Sequence, residues 1–324
     1  MKINPIKKLL FYLLPLALVL AFRGCSDNNP AGPAGDRVMD SYPLALGDTW
    51  DYSMEMSISV QEDSTQPPIS LSTSGRQHLE IKRTEMITGD EAFGIMFWQE
   101  MGRLFDTGLD TTMEVHYLAP SGDKILLKAE EGVYYTGGFI PFSKTSGAKR
   151  LGTKIKVGGA SRFITLESLA RLLLGTAGPG LLAEGETGPA LASDGIQKKE
   201  NVYFYDTEFI FTYSELYKGR SWISMEAGGV GGVEITQKVT NILPELSGYG
   251  GPIAEVERSN TLIEAAASEQ YKQRYYYKGG VGIVQAEIYD PEFDIWASLP
   301  DGSIIYLGRG TWAVIKTLES YQVK

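Results

Sequence analysis

The sequence is poor in the residues that build metal centres and disulfides. Cys25 is the only cysteine among 324 residues, so the chain can form no internal disulfide and no cysteine-based metal site. The two histidines, His78 and His116, each stand alone within a strand-like run. We therefore expect no metal ion and no other cofactor.

Basic charge is also scarce. Lys and Arg number 30 against 40 Asp and Glu, which gives a formal net charge of −10. Without the four bases of residues 1–24 the charge becomes −14. An acidic surface of this kind argues against nucleic acid as a partner and against electrostatic binding to anionic lipid headgroups.

Familiar catalytic motifs are missing as well. The sequence has no G-x-S-x-G, and the S-x-x-K spacing of Ser121 and Lys124 falls in a turn rather than on a helix. Neither glycine-rich stretch, 227–233 or 278–284, has the third glycine and the following helix of a phosphate-binding loop. Paired carboxylates for glycoside hydrolysis stay open, because they need only closeness in space.

The first 24 residues carry four basic residues, no acid, and the fourteen-residue apolar stretch 9–22, which is too short to span a bilayer. Gly24 then precedes Cys25. This order resembles a bacterial lipoprotein signal, although Arg23 stands where such signals usually have a small residue. The resemblance implies that Cys25 receives lipid and becomes the new N-terminus, with acyl chains such as palmitate as a stable membrane anchor. The alternatives are a signal peptide cut elsewhere or an uncleaved anchor.

Residues 25–40 are predicted to form a flexible tether. The segment 26–36 contains Ser, Asp, Asn, Pro, Ala and Gly and no larger apolar residue, so it cannot bury enough surface to fold. Ser26 stands where inner-membrane retention in enteric bacteria requires Asp. We therefore expect a cell-envelope protein at the outer membrane, facing the periplasm or the cell surface.

The rest of the chain predicts a mainly β fold of antiparallel sheets, as a curved sheet or a partial barrel. Apolar and polar residues alternate over 49–60, and many short strand-like runs follow with turn signals between them, such as Gly89-Asp90 and Asp301-Gly302. Because strands follow strands over short links, the pattern favours antiparallel pairing. We predict a first β half over 41–160 and a second over 199–324.

A Leu- and Gly-rich insertion over 161–198 separates these halves. Thr165 can cap a short helix that carries Leu166, Leu169, Ala170 and Leu173 on one face. The insertion is either a linker or packed helix, or a lid over an apolar cavity formed by residues 163–192.

An internal repeat suggests that the halves are similar. The pattern L-x-x-G-x-[TS]-W occurs at 44–50, with Gly47 and Trp50, and again at 216–222, with Gly219 and Trp222. Two copies about 170 residues apart are consistent with a duplication.

Two elements resemble exported bacterial lipoproteins of unassigned function, whose sequences open with P-L-x-x-G-x-x-W-x-Y and close with Y-Y-x-K-G-V-G-x-V. The first element here is 43–52, which includes Gly47, Trp50 and Tyr52. The second is 276–284, which has an extra glycine, and its motif residues are Tyr276, Tyr277, Gly279, Gly280 and Gly282. The resemblance implies an exported β-sheet protein and supplies no catalytic residue.

These observations favour a lipid-anchored cell-envelope protein that acts as a binding or structural module rather than an enzyme. Its expected partners are the membrane, through Cys25, and an envelope protein or an apolar ligand. One alternative is a periplasmic carrier of an apolar ligand, with 163–192 as its lid. The other is an envelope hydrolase that uses paired carboxylates.

Overall fold

The described part of the chain consists almost wholly of antiparallel β-strands. The computed structural model describes residues 36–60, 69–104, 108–133, 150–157, 160–166, 169–170, 196–199, 202–226, 233–263 and 268–324. Seventeen strands lie within these ranges: β1 (Arg37–Met39), β2 (Thr49–Val60), β3 (Ile69–Ile87), β4 (Asp90–Gly102), β5 (Leu109–Ser121), β6 (Lys124–Val133), β7 (Arg150–Val157), β8 (Ala160–Thr165), β9 (Ile196–Lys199), β10 (Val202–Tyr213), β11 (Glu215–Tyr217), β12 (Ser221–Met225), β13 (Val233–Leu246), β14 (Tyr249–Ile263), β15 (Ser268–Lys278), β16 (Gly282–Ser298) and β17 (Ile304–Gln322). The predicted fold class is confirmed.

Two meanders form one large curved sheet that does not close. Its strand order is β12-β13-β14-β15-β16-β17-β2-β3-β4-β5-β6-β10-β9, with β7 and β8 attached beside β16. The last strand of the second meander, β17, pairs with the first strand of the first, β2, from Gln322↔Thr49 to Gly310↔Val60. The start and the end of the described body therefore lie side by side. Strands β1 and β11 form a separate two-stranded sheet.

One face of this sheet carries the core. Along β2 every second residue is buried, as the alternating pattern of 49–60 predicts: Trp50, Tyr52, Met54, Met56, Ile58 and Val60. The neighbouring β17 contributes Trp312, Val314, Lys316 and Leu318 to the same face. Because the two faces differ so clearly, a register shift of one residue would expose the whole apolar set.

The two ends of the sheet differ in their connections. At one end, short turns join consecutive strands: β3 to β4, β5 to β6, β13 to β14, and β15 to β16. Thr88-Gly89 and Ser247-Gly248 both have positive φ values at both residues, as a type I′ hairpin turn requires. The connections at the other end are longer, such as 61–68 between β2 and β3. We call these the turn end and the loop end; β1 and the start of β2 lie at the turn end.

The predicted helix contributes to the core. Leu166, Leu169 and Ala170 are helical and fully buried, and they belong to the main apolar cluster. Thr165 is the last residue of β8, which pairs with β7. Leu173 and most of the predicted lid lie outside the described residues, so the role of 163–192 stays a prediction.

Candidate functional site

The two elements that carry the family resemblance meet at the turn end. The Trp50 indole Nε1 donates a hydrogen bond to the carbonyl oxygen of Val281 over 2.6 Å. The Tyr52 hydroxyl donates to the carbonyl oxygen of Ile283 over 2.8 Å. Both bonds are buried, and they join β2 to the start of β16 and to the residue before it, on the core face of the sheet, with β17 between them. The two motif elements therefore contact each other, although the bonded residues are 231 positions apart in sequence.

The glycines of the second element let the segment before β2 approach this contact. A Cβ on Gly279 would lie 2.5 Å from the carbonyl oxygen of Met39. Gly280 has a φ of +67°, and its N–H donates to the carbonyl oxygen of Asp40 over 2.8 Å. Gly282 has a φ of +98° and lies beneath the ring of Tyr42. A side chain at any of the three would clash or strain the backbone.

The tyrosines before these glycines face opposite sides of β15. Tyr277 is buried in the core, where desolvation raises the pKa of its phenol. Tyr276 points to the other face, and its hydroxyl lies 3.4 Å from Glu287 Oε2. Burial and the nearby acids raise the pKa of Tyr276 to about 12. Neither phenol ionises near neutral pH, so both motif tyrosines serve here as packing and hydrogen-bonding groups.

The internal repeat has the same backbone geometry in both copies. Gly47 has a φ of +84° and donates to the carbonyl oxygen of Ile81 over 2.9 Å. Gly219 has a φ of +91° and donates to the carbonyl oxygen of Val239 over the same 2.9 Å. In the first copy, the N–H of Ile81 donates in return to the carbonyl oxygen of Asp48 over 3.0 Å. In the second copy, the N–H of Val239 donates to the carbonyl oxygen of Arg220 over 2.8 Å. The shared turn supports the prediction of two similar halves.

The similarity continues into the next strands. The β3–β4 ladder shifts register between Ile81 and Arg83, and the β13–β14 ladder shifts between Val239 and Asn241. Each bulge thus follows the residue that pairs with the repeat glycine. The side chains differ, however: within the described residues Trp222 Nε1 has no hydrogen-bond acceptor, and its ring packs against Tyr213 instead.

A second set of polar side chains is buried on the core face of β5, β6 and β10. His116 is fully buried, and its Nε2 lies 3.4 Å from Glu114 Oε2 and 3.9 Å from Glu130 Oε1. Tyr205 donates a hydrogen bond to Glu130 Oε2 over 2.7 Å. Phe97 covers the imidazole, with the ring centroids 4.4 Å apart. We call these residues the acidic cluster.

A buried lysine lies on the same face in β17. Lys316 is 2% exposed and its Nζ lies 3.2 Å from Gln77 Oε1. Gln77 in turn donates to Gln99 Oε1 over 3.1 Å, and the ammonium lies 4.8 Å from the centre of the Tyr52 ring. Burial lowers the pKa of Lys316 to about 8, because removal from water disfavours the charged form.

Sequence reasoning missed the acidic cluster and Lys316. The two-residue alternation contains a signal for Lys316, since this residue stands two positions from the buried Val314 and two from the buried Leu318. The other histidine, His78, is partly exposed and its Nδ1 lies 2.7 Å from Asp51 Oδ1, which lowers the pKa of that carboxyl. In the described ranges no group of three His, Cys, Asp or Glu side chains could hold a metal ion.

Cys25 lies outside the described residues, so lipid attachment stays a prediction. Over the part of the chain that the structure describes, none of the helices has the length and apolar character to cross a bilayer.

Comparisons with known proteins give little guidance. No family model matches the sequence, and no curated protein does so either. Among solved structures, the chain is similar to one described as "a putative lipoprotein" from Parabacteroides distasonis, with 9% identity, a TM-score of 0.33, and coverage of 88% of this chain and 99% of that one. It is also similar to a "putative exported protein with YmcC-like fold" from Bacteroides fragilis, with 6% identity, a TM-score of 0.26, and the same coverage of 88% and 99%. Likenesses at these TM-scores assign neither fold nor function to this chain.

The close approach of Gly279 to Met39 predicts a large effect of a single methyl group. Gly279→Ala should lower the free energy of unfolding by about 1–3 kcal/mol, because the new Cβ pushes the segment before β2 away from the turn. Urea unfolding measures the change. Gly250→Ala is the matched control, since its Cβ meets no atom within 4 Å. Equal free energies of unfolding for the two variants would contradict the close approach of Gly279 to Met39.

The buried Lys316 predicts a pH-dependent stability. Its pKa is about 8 in the folded chain against 10.5 unfolded, so the unfolded state binds more protons between these values and stability rises with pH there. The difference in unfolding free energy, wild type minus Lys316→Met, should increase by about 3 kcal/mol from about pH 7 to pH 10.5.

Comparison with Lys238→Met tests this assignment. Lys238 is exposed, so its replacement removes a lysine without removing a buried charge. The wild-type-minus-variant difference should then stay flat over the same pH range. A flat difference for Lys316→Met as well would show that Lys316 is solvated in the folded state.

Proposed function

We propose that the protein is a lipid-anchored cell-envelope protein that acts as a binding or structural module, with Cys25 as its lipid attachment site. The observation that carries the proposal is the order of the first forty residues: a basic start, an apolar stretch, Cys25, and then eleven residues too small and polar to build a core. Residues 1–35 lie outside the described residues. The outer membrane as destination follows from Ser26 and is part of the proposal.

The point where the described body begins supports a tether. Arg37 is the first residue of β1 and pairs with Tyr217 of β11, and its guanidinium lies 2.5 Å from Glu215. About a dozen residues separate Cys25 from this point, and an extended chain of that length spans about 40 Å. Such a linker would let the body act at a distance from the membrane surface.

The position of this attachment favours the loop end as the binding face. Strand β1 lies at the turn end, and β17 runs for 19 residues from the loop end to the turn end. At about 3.3 Å per residue, the loop end is about 60 Å from β1 along the strands. Long connections on a rigid sheet are also where binding residues commonly occur.

The described residues give less support to the two alternatives. A carrier needs an open apolar cavity under its lid, whereas Leu166, Leu169 and Ala170 are packed into the core. A hydrolase on envelope polymers needs accessible carboxylates. Glu114 and Glu130 converge on His116, but they are only 8% and 3% exposed. We therefore propose the binding or structural module alone.

Mass spectrometry of the membrane-extracted protein tests the anchor. We expect an intact mass that begins at Cys25 and includes acyl chains, because the thiol is the only group in this segment that can carry a thioether-linked lipid. Cys25→Ser should lose both the added mass and the membrane association. Ser26→Ala keeps the thiol and should retain both. An unmodified Cys25 in the wild type, or a Cys25→Ser protein that stays on the membrane, would contradict the proposal.

A further inference from the structure

The first residues of β17 form an open strand edge at the loop end. Strand β17 pairs with β16 from its start, at Ser298↔Ile304. Its ladder with β2, on the other side, reaches only as far as Gly310↔Val60. Within the described residues, the edge of β17 over 304–309 therefore has no strand partner on the side of β2. An edge of this kind presents unpaired N–H and C=O groups, to which another strand can add.

This edge carries large apolar side chains. Ile304, Ile305 and Tyr306 follow one another in sequence and are 39%, 40% and 49% exposed. Because side chains alternate along a strand, Ile304 and Tyr306 lie on one face and Ile305 on the other. The Tyr306 ring packs against Trp296 of β16, with the ring centroids 4.9 Å apart. Both faces of the hairpin thus offer apolar surface at the open edge.

A second open edge in the chain is protected, whereas this one is not. Between its ladders with β15 and β7, strand β16 is open over 289–295 within the described residues. That stretch contains Pro291, which has no N–H to donate, and three acidic residues. Proline and charge are common means of keeping an edge from pairing with another chain. The stretch 304–308 of β17 contains neither.

The backbone at the open edge favours one register. The carbonyl oxygen of Ser303 accepts a hydrogen bond from the N–H of Leu299 over 2.8 Å, so the backbone groups of Ser303 face β16. Successive residues of a strand direct these groups to opposite sides, and those of Ile304 and Tyr306 therefore face the open side. A second copy, related by a two-fold axis at Ile305, would place Ile304 of each copy opposite Tyr306 of the other. Each of these pairs can exchange two hydrogen bonds.

The same two-fold axis gives complementary charges. Asp301 and Arg309 each stand four positions from Ile305, in opposite directions, so Asp301 of each copy comes near Arg309 of the other. Asp301 uses Oδ1 for its bonds to Ser303, and Arg309 Nε lies 3.2 Å from Asp294 Oδ1. Among the described residues, these contacts leave Asp301 Oδ2 and the terminal guanidinium nitrogens of Arg309 for an ion pair between copies. Opposite charges in these places favour this register over those that bring like charges together.

We propose that the edge of β17 over 304–306 is a self-association surface, at which two copies of this chain pair antiparallel about Ile305. On one face of the joined strands, Ile304 and Tyr306 of both copies form a continuous apolar row. On the other face, the two Ile305 side chains meet. The inference goes beyond the proposed function and does not depend on the anchor, because the edge lies at the loop end and β1 at the turn end.

A disulfide trap in the full-length protein, purified in detergent, tests the register. Cys25 is the only cysteine, so Cys25→Ser gives a background without thiols. In this background Ile305→Cys should form a disulfide-linked dimer in a glutathione redox buffer. The two-fold axis brings the two Cα atoms to about 4.5 Å, and a disulfide bridges Cα atoms about 4.4–6.8 Å apart. Ile315→Cys is the matched control and should stay monomeric, because Ile315 is 42% exposed but pairs with both β16 and β2.

Sedimentation velocity of the Cys25→Ser protein measures the affinity without a trap. We expect reversible dimers with a Kd on the order of 10–100 µM, because the interface is small. Asp301→Arg should raise this Kd about tenfold, since it places like charges against Arg309 of the other copy. Glu319→Arg reverses an exposed acid near the turn end of the same strand and should leave the Kd unchanged.

The inference would be overturned by a monomer at every concentration with no disulfide in Ile305→Cys, or by equal cross-linking of Ile305→Cys and Ile315→Cys. A dimer whose Kd responds equally to Asp301→Arg and Glu319→Arg would also overturn it. Monomeric protein that floats with phosphatidylcholine vesicles, and no longer does so in Ile305→Lys, would overturn it in favour of a lipid surface. Because Cys25 is replaced throughout, these results are independent of the proposed anchor.

Discussion

The hydrogen bonds from Trp50 and Tyr52 to the backbone of 281–283 join the two halves of the chain at the turn end. Each bond contributes about 0.5–1.5 kcal/mol net, but removal of the donor would leave a buried carbonyl unpaired at a cost of about 1–3 kcal/mol. Burial also raises the pKa of Tyr52 well above its usual value, so its hydroxyl remains a donor. Around these bonds Tyr42 stacks on Trp50, with centroids 5.8 Å apart, and packs edge-on against Phe211. The turn end is therefore closed by aromatic packing.

The segments that lead into each half are held by the opposite half. The carbonyl of Asp40, before β2, accepts from Gly280 in the β15–β16 turn. The N–H of Ser214, before β12, donates to the carbonyl of Asp123 in the β5–β6 turn. Strands β1 and β11 then pair with each other through Val38↔Leu216, and both of these residues are fully buried. Each half thus contributes a turn that holds the segment leading into the other half. Neither half can therefore form all the contacts of its turn end alone, and we expect the body to fold as one unit.

The local features of this architecture could be predicted from sequence, whereas the long-range pairing could not. Alternation over 49–60 predicts β2, and the glycines at 89, 122 and 302 coincide with positive φ values in hairpin turns. Nothing local indicates that β17 pairs with β2, or that β10 pairs with β6, because these ladders join strands that are far apart in sequence. Lys316 illustrates the limit: its partner Gln77 is 239 residues away.

The early end of the β15–β16 ladder could not be predicted for a related reason. Residues 270–278 and 281–289 both have strand patterns, and both are strands in the structure, so the sequence gives no sign that their ladder ends at Gln273. The acidic cluster likewise depends on register, since Glu130 reaches His116 only because β5 and β6 pair at His116↔Glu130. The alternation of apolar and polar residues does indicate which side chains face the core. A polar residue at a core-facing position interrupts the apolar pattern and can be recognised in the sequence.

Comparison of the two halves indicates that the early end of the β15–β16 ladder is not a requirement of the fold. The β5–β6 hairpin, the counterpart of β15–β16, stays paired from its turn as far as Met113↔Val133. The β15–β16 ladder ends after fewer pairs, at Gln273↔Ile288. The side chains that follow the two repeat glycines also differ between the halves. Asp48 accepts a hydrogen bond from the backbone N–H of Lys324. Arg220, at the equivalent position, contacts Asp123 over 2.6 Å and lies over the Tyr213 ring. Since the first half keeps its ladder paired with the same backbone plan, the early end of the ladder is a feature of the second half alone.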